Sequence, residues 1–392
     1  MSRLSFSSER LQVRLVPQEF RLTQTLFSPL DIGPVQVPNR VAVAPMCQYS
    51  AHDGCASDWH LQHLMTLAMS GAGLVMLEAT AVERAGRITH GCLGLYSDEN
   101  ERALDRVLKA ARSVALPGTR FGIQISHAGR KGSAQRPWEG GGPLAAHEDP
   151  WTTVAPSALP HDAGWHVPQE LEESQIDGIL QSFVQAARRA ERLGFDVVEL
   201  HMAHGYLLHQ FHSPLSNRRR DRWGDGSSGR MALPLAVAQA VGEAVSPGIA
   251  VGARITGTDW ESGGLAVEDA VELTKALEAA GLAYVDVTSG GIPTKTPIAV
   301  RPGYQVPLAE AIKSQSRIVV RAVGLIVSPG QANEIIVSNQ ADQVAIGRGL
   351  LDNPRWAWHA ADQLGIHLPR PPQYDRARPA IWPGAQQTNR SA

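Results

Sequence analysis

Cysteine is scarce in this chain: three in 392 residues, at Cys47, Cys55 and Cys92. That is too few for a disulfide framework or a four-thiolate cluster, and a reducing, cytoplasmic setting is the default expectation. No apolar run reaches the roughly 18 residues that a membrane helix needs, so no membrane partner is expected. A surplus of positive charge is also missing. With 36 Lys+Arg against 38 Asp+Glu and a net charge of −2, the surface offers no broad basic face, and nucleic acid is not expected as a partner. The remaining composition, 43% hydrophobic, belongs to a globular protein with ample chain for a closed core, not to a disordered or fibrous one.

Residues 1–25 lack the apolar stretch of a secretory signal and read as an extension outside the fold. Residues 369–392, rich in Pro, Arg and polar side chains, read as an extended tail. Between them, residues 26–368 alternate short apolar runs with helical patterns. Ile176, Ile179, Leu180, Phe183, Val184 and Ala187 recur at helical spacing, with Ser174 placed to cap the helix and Gly194 to stop it. A strand follows at once. Gly73–Glu78, Gly194–Glu199 and Gly281–Asp286 repeat one unit: a glycine stop, an apolar run, then a carboxylate.

Strand-like runs fall at Arg40–Pro45, Leu74–Thr80, Arg120–Ser126, Phe195–His201, Ile249–Ile255, Ala283–Thr288, Arg317–Ala322 and Gln343–Gly347. Near-continuous apolar strands separated by helices imply a parallel sheet covered by helices, and eight such units imply a single-domain α/β protein, a (β/α)8 TIM barrel. The open doubly wound alternative lacks its Gly-x-Gly-x-x-Gly turn between the first strand and helix.

The polar residues cluster just after these strands, at the barrel end where active sites lie. His201, His204 and Tyr206 stand within six residues, so two imidazoles can donate to a carbonyl oxygen beside a phenol that carries a proton. The same imidazoles, with Glu199, could instead ligate a metal, although a zinc site wants at least three protein ligands and no second cluster stands out; no metal is expected. Arg254 and Gln124 point into a barrel expected to be filled otherwise by apolar layers. Either Arg254 pairs with Glu199 or Asp286, or a cofactor ring with carbonyls satisfies both it and Gln124. Ala322-Val323-Gly324 and Gly347-Arg348 follow the last two strands, where small residues let backbone N–H groups approach a phosphate. Cys47, beside Tyr49, is either an inert small hydrophobe or a thiol facing a redox ring.

Several motifs, in order and appropriately spaced over about residues 26–376, carry a resemblance: PMCQYS (45–50), EATAV (78–82), GRITHG (86–91), IQISHAGRKGS (123–133), APSAL (155–159), HMAHGYLLHQF (201–211), SPLSNRR (213–219), PGYQVP (302–307) and IGRGLL (346–351). Together they resemble the Old Yellow Enzyme family, nearest its thermophilic-like and xenobiotic-reductase subgroup. The resemblance implies a barrel that holds FMN non-covalently and reduces the C=C bond of activated alkenes with NADPH or NADH. It implies FMN contacts from Pro45, Met46, Cys47, Ala79, Gln124, Arg254, Ala322, Val323, Gly324, Gly347 and Arg348. His201 and His204 would anchor the substrate's electron-withdrawing group, hydride would come from the flavin N5, and Tyr206 would supply the proton. Cys47 would tune the flavin potential and touch the substrate, as would Tyr49. The run Gln373-Tyr374-Asp375-Arg376 resembles the subgroup's C-terminal arginine segment, which implies a homodimer, or a higher even homo-oligomer, in which Arg376 reaches the neighbouring subunit's pocket. Two rivals remain at this stage: a metal-dependent hydrolase or lyase on the same barrel, and a flavin-binding sensor with Cys47 as a thiol switch.

Overall fold

The computed structural model describes residues 24–292 and 294–386; all but the last two residues of the expected N-terminal extension lie outside them. In chain order the elements are strands β1 (Leu30–Ile32), β2 (Val35–Val37) and β3 (Val41–Val43), helix α1 (Asp58–Ala68), β4 (Leu74–Ala81), α2 (Asp98–Val114), β5 (Arg120–Ser126), β6 (Val154–Ala155), β7 (Gln169–Glu170), α3 (Glu173–Arg192), β8 (Val197–Met202) and α4 (Leu207–His212). There follow α5 (Gly226–Ala244), β9 (Ala250–Thr256), α6 (Val267–Ala279), β10 (Tyr284–Thr288), α7 (Val306–Lys313), β11 (Val319–Ala322), α8 (Pro329–Val337), β12 (Gln343–Ile346), α9 (Arg348–Asp352) and α10 (Trp356–Gln363). Strands β3, β4, β5, β8, β9, β10, β11 and β12 close into a parallel barrel, and each coincides with one of the eight expected runs. The chain is therefore a (β/α)8 barrel.

The expected helix cap moves by two residues. α3 begins at Glu173 rather than after Ser174, because the Gln175 side chain reaches back to accept the Glu172 N–H at 2.9 Å and so extends the first turn toward the N-terminus. Gly194, at φ +81°, ends the chain's helical course as expected.

Alternation along the strands sorts side chains to the two barrel faces. The outward set packs against the helices in one large core. Inward residues begin at the bottom with an apolar layer, where Leu74, Met76, Val197, Ala250 and Tyr284 meet Ile32, Val35 and Val37 of the β1–β2 hairpin that plugs the barrel's N-terminal end. Sequence patterning missed this hairpin, whose strands are three residues each.

The next layer up is more polar than the expected interior, apolar but for Gln124 and Arg254. Glu199, Asp286 and Arg321 are fully buried there. Glu199 accepts hydrogen bonds from Gln124 (2.8 Å), Tyr284 (2.8 Å) and Arg321 (3.0 Å), while Arg321 also donates to Gln343 (2.8 Å) and lies 3.6 Å from Asp286. Gly252 makes room for the Tyr284 ring, since a Cβ there would come within 2.2 Å of it. Two carboxylates from the repeated glycine-run-carboxylate unit, Glu199 and Asp286, thus share one guanidinium. The third, Glu78, sits at a register shift between β4 and β5 and accepts the Gln48 N–H at 2.9 Å.

Candidate active site

Above the ionic layer, the C-terminal ends of the strands carry the residues singled out by sequence. His201 on β8 sits in register with Arg254 on β9. Past β8 the chain turns sharply, with His204 at φ +58° and Gly205 at φ +72°. A Cβ on Gly205 would come 2.1 Å from the Gly291 carbonyl oxygen, so only glycine fits this turn. The turn delivers Tyr206 to the start of α4, its ring edge-on to His201 with centroids 4.8 Å apart.

Side chains packed beneath it hold this turn. Lys131 Nζ donates to the His204 carbonyl (2.8 Å), His209 Nδ1 accepts the Gly205 N–H (2.8 Å), and the Gln210 amide donates to the Gly205 carbonyl (2.7 Å). Behind His209, Asp259 Oδ1 lies 3.0 Å from Nε2, a close contact that is not aligned as a hydrogen bond. Asp259 Oδ2 accepts from Ser213 Oγ (2.7 Å) and the Leu265 N–H (2.9 Å). Burial opposes ionisation of Asp259, but His209 and these donors outweigh it and hold the carboxyl below its ordinary range.

The electrostatics favour an electron-rich oxygen. Burial, with Arg254 nearby, pushes both His201 and His204 well below the usual imidazole range, so each ring is neutral at pH 7 and offers one N–H. Burial, with the neighbouring Cys47 and Tyr49, raises Tyr206 well above the usual phenol range, so it keeps its proton. Lys131, desolvated and beside Arg130, is lowered to about 8. Its ammonium stands 5.2 Å from the centroid of the Tyr206 ring.

A cleft of about 420 Å³ opens beside this group, within the size range of small-molecule and cofactor sites. Pro45, Met46, His204, Arg254, Val323, Gly324, Gly347 and Arg348 all line it. The other expected residues lie around it or away from it. Ala322 and Ala79 are buried at strand ends, and Ala79 is paired in register with Gln124. Gln124 is directed at Glu199. Cys47 and Tyr49 are half-buried, and burial pushes both the thiol and the phenol upward. A thiol so placed is no ready thiolate. Arg376 is not in this cleft: it lines a separate cavity with Arg355, Trp358, Tyr374 and Trp382 of its own chain.

The cleft fits a flat cofactor with an anionic end. Arg254 Nε is buried with no hydrogen-bond partner, and its nearest carboxylate, Asp286, is 3.9 Å away; Glu199 is engaged by Arg321 instead. Such an orphaned donor calls for an acceptor. At the other end, Gly324 has φ +116° and a Cβ there would come 2.7 Å from Gln305 Nε2, so bare backbone forms the wall next to Arg348. The metal reading loses its third ligand, because both Glu199 oxygens are occupied by Gln124, Tyr284 and Arg321. Among the described residues, no group of three or more His, Cys, Asp or Glu is arranged to hold a metal.

Sequence reasoning singled out many of the groups that face the cleft but missed Thr288 and Gln305 in its wall and the residues that hold the turn, Lys131, His209, Gln210 and Asp259. Most of these lie inside the quoted motifs. Their roles depend on contacts across loops, which no local pattern encodes.

Comparison with known proteins agrees with this geometry. Residues 25–366 match the model of the NADH:flavin oxidoreductase / NADH oxidase family. The chain is 41% identical over 354 residues to an NADPH dehydrogenase of Listeria monocytogenes, covering 90% of this chain and 98% of that one. It is 38% identical over 358 residues to an NADPH dehydrogenase of Bacillus velezensis, covering 91% and 100%. Among solved structures, morphinone reductase superposes with a TM-score of 0.72 at 29% identity, covering 92% of this chain and 93% of that one. No helix among the described residues is long and apolar enough to cross a membrane. An orphaned guanidinium, a backbone-walled cleft and this depth of similarity have one explanation: the chain belongs to the NADH:flavin oxidoreductase / NADH oxidase family, the Old Yellow Enzyme family, as an oxidoreductase that uses FMN and a nicotinamide donor.

Proposed function

We propose that this oxidoreductase reduces the C=C bond of activated alkenes such as enones, enals, maleimides and nitroalkenes. The observation that carries the reading is the convergence of His201 Nε2 and His204 Nδ1, 3.4 Å apart, beside a protonated phenol and the FMN cleft. Two neutral imidazoles that face one point suit an oxygen that gains charge during reaction, and the neighbouring cations Arg254 and Lys131 reinforce that preference.

Pro45, Met46, Cys47 and Ala79 would border the flavin, with Gln124 and Arg254 toward its carbonyl edge. Ala322, Val323, Gly324, Gly347 and Arg348 would hold its phosphate. Bound FMN supplies the hydride that the nicotinamide donor has delivered. His201 and His204 fix the substrate's carbonyl or nitro oxygen and withdraw electron density from the alkene. Tyr206 gives its phenolic proton to the carbon that would otherwise carry the negative charge, and Lys131 beneath the ring stabilises the phenolate left behind. Tyr49 would border the substrate. Cys47 would modulate the flavin.

The same reading takes residues 26–368 as the catalytic barrel and 369–392 as a tail in a cytoplasmic homodimer, each tail serving its neighbour's pocket through Arg376. Tyr374 supports a defined tail path, since it packs against Trp358 and under the Arg355 guanidinium.

The test is anaerobic. Protein reduced by NADPH should be reoxidised on addition of 2-cyclohexenone. Replacing His201 and His204 together with Ala should slow that step at least ~100-fold, the loss typical of one oxyanion donor, while oxidation of NADPH by oxygen changes far less. Equal losses in the two assays would sink the anchor assignment.

A further inference from the structure

The two histidines cannot be a two-donor anchor in every protonation pattern. His201 Nδ1 accepts the Ala203 N–H at 3.3 Å. Its single proton is therefore on Nε2, facing His204 Nδ1 at 3.4 Å. His204 has two choices. With its proton on Nε2, its Nδ1 accepts from His201 and the pair closes on itself, leaving no free donor. With its proton on Nδ1, both rings point an N–H at the same place, and only a third atom with lone pairs can stand between them.

What distinguishes these states is the far side of His204, where Nε2 lies 3.0 Å from Thr288 Oγ1. A hydroxyl can serve either state. In the closed one it accepts from His204 and donates to Gln305 Oε1, 3.2 Å away. In the open one it turns and donates to His204 Nε2. Turning costs Gln305 little, because its Oε1 also accepts from Ser289 Oγ at 2.6 Å while its amide nitrogen donates to the Val323 carbonyl at 3.2 Å. These contacts fix the amide and keep its oxygen satisfied after Thr288 leaves. Thr288 is 3% exposed, so water is no ready substitute. The rest of His204 is held in place: its backbone is at φ +58°, and Lys131 grips its carbonyl.

We propose that the Thr288 hydroxyl, by turning from Gln305 to donate to His204 Nε2, stabilises the Nδ1-protonated tautomer of His204 and so lets the His201–His204 pair open from a self-bonded couple into a two-donor clamp for a substrate oxygen. Thr288 is thus a positioning residue that acts through His204. The inference rests on the reading of this pair as an oxygen anchor. It also links the anchor to the phosphate end of the cleft, because the Gln305 amide whose oxygen accepts the Thr288 hydrogen bond in the closed state packs against the Gly324 turn.

The experiment uses FMN-loaded protein, with phenol as the oxygen ligand. Ring-nitrogen NMR of 15N-histidine-labelled protein should show His204 protonated on Nδ1 when phenol is bound. Thr288→Val, which keeps the shape and removes the hydroxyl, should weaken phenol binding roughly 10- to 100-fold, the affinity equivalent of one buried hydrogen bond, and should lose the Nδ1–H signal. Thr288→Ser should restore both. A purely structural role would move affinity without moving the tautomer. Phenol bound with His204 still protonated on Nε2, or Thr288→Val binding phenol as the parent does, overturns the proposal. A parent protein that binds FMN but no phenol overturns the oxygen-anchor reading along with it.

Discussion

Arg321→Met is the sharpest probe of the barrel interior. The arginine is fully buried and touches both Glu199 and Asp286, so its loss leaves two carboxylates facing one another with only Arg254, 3.9 Å from Asp286, in reach. Glu199 retains its bonds from Gln124 and Tyr284 but loses its adjacent cation. Burial and the proximity of Asp286 already hold the Glu199 carboxyl above its ordinary range, and Arg321 is the main group opposing that rise. Breaking a buried pair from one side costs about 3–5 kcal/mol. A carboxyl has an escape, however, because it can bind a proton. Relative to an unfolded pKa of about 4.3, neutralising one glutamate at pH 7 costs about 1.36 × 2.7, or ~3.7 kcal/mol. The variant should therefore lose about 3–4 kcal/mol at pH 7.

The sign of the pH dependence follows. A carboxyl raised in the folded state binds more protons there than in the unfolded chain, so the stability of the variant falls as pH rises from the unfolded pKa toward the folded one. The penalty should shrink by ~1.4 kcal/mol per pH unit on going down, to about 1 kcal/mol at pH 5. Urea unfolding of FMN-free protein, followed by circular dichroism at pH 5, 6 and 7, measures it. A penalty that is the same at all three values, or under ~1 kcal/mol at pH 7, would refute the account of two carboxylates dependent on one guanidinium.

Two further predictions concern the chemistry. Tyr206→Phe should slow reoxidation of the reduced flavin by 2-cyclohexenone about 10²- to 10⁴-fold, the usual contribution of a general acid, while stopped-flow reduction by NADPH is nearly unchanged; an unaltered alkene step would assign the proton to another group. Truncation after Pro369 removes Arg376 and the tail cavity with it, and should raise the KM for the alkene and weaken the proposed dimer while FMN stays bound. A truncated protein with unchanged mass in solution and unchanged KM would make Arg376 a surface residue.

The strands were legible because burial on both faces makes each one a short apolar run, and because the glycines at 194 and 281 mark where helices give way to strands. Legibility failed wherever the determining contact crosses between elements. The start of α3 moved because Gln175 competes with Ser174 for the first turn. The hairpin β1–β2 was invisible because three residues carry too little alternation to register, although Ile32, Val35 and Val37 close the barrel floor. Arg321 stands one residue before the expected phosphate turn and reads as part of it. Only the inward register of β11 shows that it serves Glu199 and Asp286 instead.

The same division runs through the site. Histidine, tyrosine and arginine at strand ends announce themselves, since such groups are costly to bury without use. Their supports do not. Asp259 stands 50 residues beyond His209 and Gln305 stands 17 beyond Thr288, and each pairing exists only because the barrel brings successive loops to one rim. Thr288 is the clearest case. In sequence it is one more hydroxyl closing an apolar strand, yet it stands at the single nitrogen of His204 whose protonation decides whether the anchor is open. A side chain facing the cleft is chosen for its chemistry and can be found by type. One that sets another group's proton is chosen for its position, and only coordinates reveal it.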